Sequence, residues 1–224
     1  MIEHDNNDVI TVMITRQGIA VDIDETLSWT IRYWVENMQK HFGNPEGLSV
    51  EEMIKKYRYT QNVPYWQSKE ALEWIEKKIH DDALQEELPL VPKAKDTLIE
   101  IDKIIPVAAY LTIRPELIRT GTENWIRKHG FPQAPVICKP TDMPRKDAII
   151  WKAKILEESY PGIVGIIDDN PEITTRLSKD YKGYVFMFNN TTGDPSRNFI
   201  ACEDWDAVLE EIKRVFSKNI VNNA

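Results

Sequence analysis

The chain has 224 residues, of which 42% are hydrophobic and 29% charged, and a formal net charge of −8. That length holds one large domain, or a core with a smaller inserted one, and the acidic balance argues against polyanionic nucleic acid as the main partner. The polar, acidic start Met1 to Asp8 has no signal-peptide pattern, no apolar run nears the roughly 20 residues of a membrane span, and Cys138 and Cys202 set up no disulfide framework, so a cytoplasmic setting away from membranes is expected.

Val9 to Ile14 (VITVMI) is β-branched and apolar and predicts a strand or an extended arm. Gly18-Ile-Ala-Val-Asp-Ile-Asp-Glu-Thr-Leu27 follows, an apolar run that enters Asp22 and Asp24 and then stops. Such a run predicts a buried strand of a parallel sheet. Alternation along it would put Asp22 and Asp24 on one face, about 6–7 Å apart. Two carboxylates at the end of a buried strand repel each other and resist desolvation unless a cation or a reaction requires them. The plainer reading is a strand end capped by two solvated acids.

From Ser28 to about Leu88 the pattern is helical and rich in aromatics. Ile31, Trp34, Val35, Met38 and Phe42 fall on one face of a helix ending near Gly43. Ser49-Val-Glu-Glu52 forms a capping box that opens a second helix, reaching about Tyr57. Ser68 caps a third, with Ala71, Leu72, Trp74, Ile75 and Ile79 as its apolar stripe. The loop between these two, Tyr57 to Trp66, carries four aromatics. A helical stretch this long, without a strand and directly after the Asp22 strand, reads as an insertion. Alternatively, these helices simply cover the sheet.

Beyond Pro89, helix and strand alternate as in a doubly wound sheet. Ala94 to Ile104 is a helix and Val107 to Thr112 a strand. Pro115 starts a helix with Leu117, Ile118, Trp125 and Ile126 on one face and Gly130 as its stop. Pro135 to Cys138 is a short strand, Arg145 to about Glu158 a helix, and Ile163 to Ile167 a buried strand ending in Asp168-Asp169. Tyr184 to Phe188 is a fifth strand. Trp205, Val208, Leu209, Ile212, Val215 and Phe216 form the apolar face of the closing helix.

Asp22, Asp24, Thr112, Asp168 and Asp169 therefore all stand at strand ends that a parallel sheet brings to one edge. Clustered carboxylates call for a hard divalent cation with oxygen ligands, most simply Mg²⁺. On the helix from Arg145, Lys152 lies three to four residues from each of Ala148, Ile149, Ile155 and Leu156, in the centre of the buried stripe, while Lys146 lies at its edge. A lysine there either snorkels outward or meets buried negative charge.

In order, D-x-D-x-T (Asp22 to Thr26), a strand ending in Thr112, Lys152 on a helix, and a strand ending in Asp168-Asp169 resemble the motif set of the haloacid-dehalogenase superfamily of phosphatases. Within it the chain looks most like the 5'(3')-deoxyribonucleotidase-type branch, on its aromatic helical insert, Asp168-Asp-Asn-Pro-Glu172, Phe188-Asn-Asn190, Arg197 and Trp205-Asp-Ala-Val208. It departs at Ile113, where a small residue is usual after the threonine, and at Lys93, where glycine is common.

The resemblance implies a Rossmann-like α/β core made of residues 1–27 plus 89–224, with 28–88 as an inserted helical cap. It implies Mg²⁺-dependent hydrolysis of a small phosphomonoester, such as a nucleoside monophosphate, through an aspartyl-phosphate. Asp22 would be nucleophile and metal ligand. Asp24 would serve as acid and then base, ligating the metal through its backbone carbonyl. Thr112 and Lys152 would hold the phosphoryl oxygens, and Asp168, with Asp169, would complete the metal site. The cap would close over the site and choose the leaving group. A second acid at Asp24 suits an alkoxide leaving group, which needs a proton; a halide does not. The alternatives are a phosphatase for sugar phosphates or another small metabolite, and a non-catalytic binding module, which would have no need of Asp22.

Overall fold

The structure is a computed structural model that describes residues 16–217. The expected arm at Val9 to Ile14 lies outside them. Six strands, β1 (Gly18–Val21), β2 (Val107–Pro115), β3 (Val136–Lys139), β4 (Ile163–Asp168), β5 (Tyr184–Phe188) and β6 (Phe199–Cys202), form one sheet in the order β3-β2-β1-β4-β5-β6. Every neighbouring pair is parallel. This is the Rossmann-like doubly wound sheet expected from the alternation beyond Pro89.

β1 lies inside the sheet and is buried on both faces, which is why its sequence is apolar without alternating. Ile19 and Val21 point into one apolar cluster, completed by α4 (Ala94–Ile104), α5 (Arg119–His129) and α8 (Trp205–Phe216) through Leu98, Trp125 and Val208. Ala20 points into the opposite one, completed by α6 (Ala148–Glu158) and α7 (Glu172–Arg176) through Leu156 and Ile173. Each fully buried aliphatic side chain contributes about 1.5–3 kcal/mol, so the two layers clamp β1 and fix where its C-terminal end comes out. Gly18 starts it because a Cβ there would stand 2.0 Å from the carbonyl oxygen of Pro106.

Between β1 and β2 lie α1 (Thr30–Phe42), α2 (Val50–Tyr57) and α3 (Lys69–Ile79). Ser49 and Glu52 cap α2 reciprocally, and Ser68 Oγ accepts from Ala71 N–H at the start of α3. These helices gather around an apolar centre of their own, made of Val35, Met38, Met53, Val63, Trp66 and Ala71. Trp66 is fully buried there and donates its indole N–H to Gly43 O at 3.0 Å.

Some local expectations need correction. Leu72 is 40% exposed, because one residue after the buried Ala71 turns it about 100° away. Leu117 is 58% exposed: it sits in a 3₁₀ turn, Glu116–Ile118, and α5 begins only at Arg119. The helix expected from Arg145 opens as a 3₁₀ turn and becomes α-helical at Ala148. The strand expected from Pro135 runs one residue later, and β6 is an unexpected sixth strand.

Candidate active site

The site lies at the C-terminal edge of the sheet, where β1 ends. The strand stops at Val21, earlier than expected, because the chain folds into a tight turn. The amides of Leu27 and Ser28 both donate to Ile23 O, and Glu25 takes a left-handed φ of 60°. Asp22 and Asp24 therefore leave a turn and go in different directions.

Asp22 points toward β4. Its amide donates to Ile167 O at 2.9 Å, holding it level with the end of that strand. Its carboxylate accepts from Lys152 Nζ and lies 3.5 Å from the buried hydroxyl of Thr26. Lys152 is 2% exposed, and its ammonium also stands 2.7 Å from Asp168 Oδ2. Beyond this ion pair, that buried oxygen of Asp168 has no hydrogen-bond partner. Asp168 Oδ1 accepts from Asn170 N–H, Thr26 Oγ lies 3.5 Å from Asp169 Oδ1, and Asn190 donates to the carbonyl of Asp169. Lys146 is exposed on the 3₁₀ turn ahead of α6.

Here three carboxylates face one ammonium. Burial pushes Asp22 up to about 7 despite Lys152, with Asp168 and Asp24 adding to the rise. Burial, then the charges of Asp22 and Asp168, raise Asp169 well above the usual carboxylate range. Burial alone would lower Lys152, but Asp168 and Asp22 more than reverse this and keep it an ammonium. Oxygens of Asp22, Asp168 and Asp169 lie within 4.8 Å of one another. An all-carboxylate donor set, a surplus of negative charge and an oxygen without a hydrogen bond fit a hard divalent cation such as Mg²⁺.

Asp24 points toward β2. Arg114 grips it with Nε at 3.1 Å from both carboxylate oxygens and Nη2 at 2.7 Å from Oδ1, and Thr30 Oγ adds a bond of 2.5 Å. The guanidinium also donates to Ser28 Oγ and Thr122 Oγ. Burial would raise Asp24, but the charge and hydrogen bonds of Arg114, with Thr30, hold it below the usual carboxylate range. Its side chain keeps 28% of its surface exposed, so a bound molecule can reach it. Thr112 is fully buried in β2, which runs on past the expected end to Pro115 through a register shift, and its hydroxyl accepts from Arg114 N–H at 3.2 Å.

Arg114 is not among the residues expected from the sequence. No local pattern pointed to it, because the register of β2 shifts between Thr112 and Pro115. Glu25 is a second unexpected contributor. It accepts from Ile31 N–H at 2.6 Å and so caps α1, whose first turn has no acidic residue. Burial pushes it up to about 7. Trp29 and Tyr33, at the start of the helical insert, pack partly buried on the main core. Trp29 lines a cleft with Phe188 and Trp205, and the Tyr33 hydroxyl donates to Glu87.

No family model matches the chain, and neither does any curated protein. Among solved structures it is similar to an L-2-haloacid dehalogenase, with a TM-score of 0.52 at 12% identity over 88% of this chain and 99% of that one. A HAD-superfamily hydrolase from Ehrlichia chaffeensis gives 0.48 at 14% identity, covering 89% and 98%. A HAD family hydrolase from Deinococcus radiodurans R1, with bound phosphate and sodium, gives 0.43 at 13% identity, covering 89% of each chain. At these identities the likeness is one of fold. The sheet that carries Asp22 has the haloacid-dehalogenase fold.

Proposed function

We propose that the chain is a Mg²⁺-dependent phosphomonoester hydrolase that works through an aspartyl-phosphate on Asp22. The observation that carries this reading is the buried meeting of Asp22, Lys152, Asp168 and Asp169 at the sheet edge, with Asp24 two residues beyond the nucleophile. The Asp22 carboxylate attacks phosphorus, the ester P–O bond breaks, and the leaving alkoxide takes a proton from Asp24. Asp24 then draws a proton from water, which attacks the aspartyl-phosphate and releases inorganic phosphate. Lys152 and the Thr112 hydroxyl stabilise the phosphoryl oxygens as their charge shifts. Asp22, Asp168, Asp169 and the backbone carbonyl of Asp24 would hold Mg²⁺, which when bound offsets charge on the phosphoryl group.

Residues 28–88, with their separate apolar centre, serve as a cap on the core to which residues 16–27 and 89–217 belong. The substrate is a small phosphorylated metabolite, with nucleoside monophosphates and sugar phosphates as its two main classes. Burial of Trp66 and the packing of Trp29 and Tyr33 leave a base fewer rings to stack on than the sequence suggests. Dehalogenation is the competing chemistry, since one structural neighbour is a haloacid dehalogenase. Asp24 favours the phosphate ester, because halide departure needs no acid, and Arg114 fixes the direction in which its carboxylate points.

Release of phosphate from p-nitrophenyl phosphate, with Mg²⁺ and with EDTA, tests this reading. Turnover should require the metal, and Asp22→Asn should abolish nearly all of it while the protein stays folded. Halide release from 2-haloacids without phosphatase activity would overturn the proposal.

A further inference from the structure

We infer that the substrate carries a second phosphoryl group, held at the mouth of the site by Arg58 and Arg145 on either side of the cap–core boundary. This rests on the phosphatase reading above and narrows its substrate class. The Arg58 guanidinium lies 5.2 Å from the Tyr59 ring centroid, and that of Arg145 lies 5.7 Å from the same ring. Arg58 and Tyr59 follow α2 in the helical insert, whereas Arg145 belongs to the core, on the turn that leads into α6. Among the described residues neither arginine makes an ion pair with a carboxylate, nor does the adjacent, exposed Lys146.

Two guanidinium groups drawn to one ring repel each other, and each contact with the ring returns only about 0.5–1 kcal/mol at an exposed site. In a chain of net charge −8 carboxylates are plentiful, yet among the described residues none pairs with either arginine. An anion offsets the pair, and the planar fork of arginine suits phosphate oxygens in particular.

The position matches as well. α6 follows β3, so it begins at the C-terminal edge of the sheet, which is the edge that carries Asp22 and Asp168. Arg145 precedes Lys152 by seven residues, about 10 Å along the helix axis. An anion bound by this pair would thus lie beyond the start of α6, on the same edge of the sheet as Asp22. Because the two arginines come from insert and core, the same anion would tie the insert over the site.

The test compares matched pairs, fructose 1,6-bisphosphate with fructose 6-phosphate and adenosine 3',5'-bisphosphate with AMP, by kcat and KM. At least one bisphosphate should exceed its monophosphate by about tenfold in kcat/KM, through KM, as one charge-assisted contact supplies. Arg58→Ala and Arg145→Ala should each erase most of that advantage, and Arg145→Lys should restore part of it. Equal losses on both members of a pair, or no advantage for either bisphosphate, would overturn the inference. If p-nitrophenyl phosphate is not hydrolysed, the phosphatase reading fails separately, and melting temperature decides the inference. The bisphosphate must then stabilise the wild type more than the monophosphate does, and lose that margin in Arg145→Ala. Equal shifts in the two proteins reject the arginine pair.

Discussion

On the β4 side of the turn after β1, Asp22 shares a single ammonium with Asp168, and Asp169 crowds the pair with a third carboxylate; on the β2 side, Asp24 has a guanidinium and a hydroxyl to itself. Two residues of chain thus separate a carboxylate in surplus negative charge from one whose charge is fully met. The difference teaches how one short turn can supply two chemistries. Where charge is unmet, a cation and a phosphoryl group are wanted. Where it is met by Arg114, a carboxylate stays ionised and open to a proton from water. The acid half of its work is the harder one, because Arg114 opposes the protonated form.

Removing Lys152 would break the β4 side most severely. Lys152→Ala leaves the buried carboxylates without an ammonium and removes a charged contact to the phosphoryl oxygens, so kcat/KM should fall by about 10²–10³. Lys146→Ala should change it less than about tenfold, since Lys146 is exposed and stands outside the cluster. Steady-state kinetics on p-nitrophenyl phosphate, with circular dichroism to show that each variant folds, checks this. The reverse ranking would move the role to Lys146.

On the β2 side, the grip of Arg114 can be loosened without touching the nucleophile. Arg114→Gln keeps a hydrogen-bond donor but removes the charge. Asp24 then loses its fixed orientation, and kcat should drop by about 10–100-fold, consistent with loss of positioned acid–base catalysis. Alkyl phosphates, which need a proton on the leaving oxygen, should suffer more than p-nitrophenyl phosphate. Equal losses on the two esters would show that Arg114 matters for packing and not for aiming Asp24.

The contrast between the two sides was only half legible in the sequence. The doubly wound parallel class of the sheet follows from the alternation of apolar runs and helices, and helical spacing alone put Lys152 on a face that is indeed buried at 2% exposure. Arg114 escaped because its partner Asp24 is 90 residues away, and pairing at that range leaves no local pattern. The Glu25 cap on α1 was hidden because it reaches helix amides from six residues upstream with a left-handed backbone. β6 escaped as well: four residues bounded by turns carry too little periodicity to register. Lys93 shows the opposite case. Its departure from glycine looked like a weakness of the resemblance, yet the structure keeps the left-handed φ of 66° and places lysine in it.

The smallest effect concerns stability, and it separates the two sides by pH. Burial raises Asp22 and Glu25 to about 7 and raises Asp169 as well. Between about pH 4 and 7 the folded protein therefore holds protons that the unfolded chain has released, and stability must fall as pH rises through that window. Asp24 has the opposite sign. Its depressed value adds stability that is present above the ordinary carboxylate range and is lost only in stronger acid. In EDTA, the melting temperature should thus decline between about pH 4.5 and 7, by on the order of 5 °C for a chain of this size. Mg²⁺ at the higher pH should restore it, since a ligand of the folded state alone stabilises by mass action. Asp169→Asn should flatten the decline by removing one of the crowded charges. A melting temperature that holds steady or rises over that window without metal would mean that the β4 cluster is not short of positive charge, and the contrast with Asp24 would be lost.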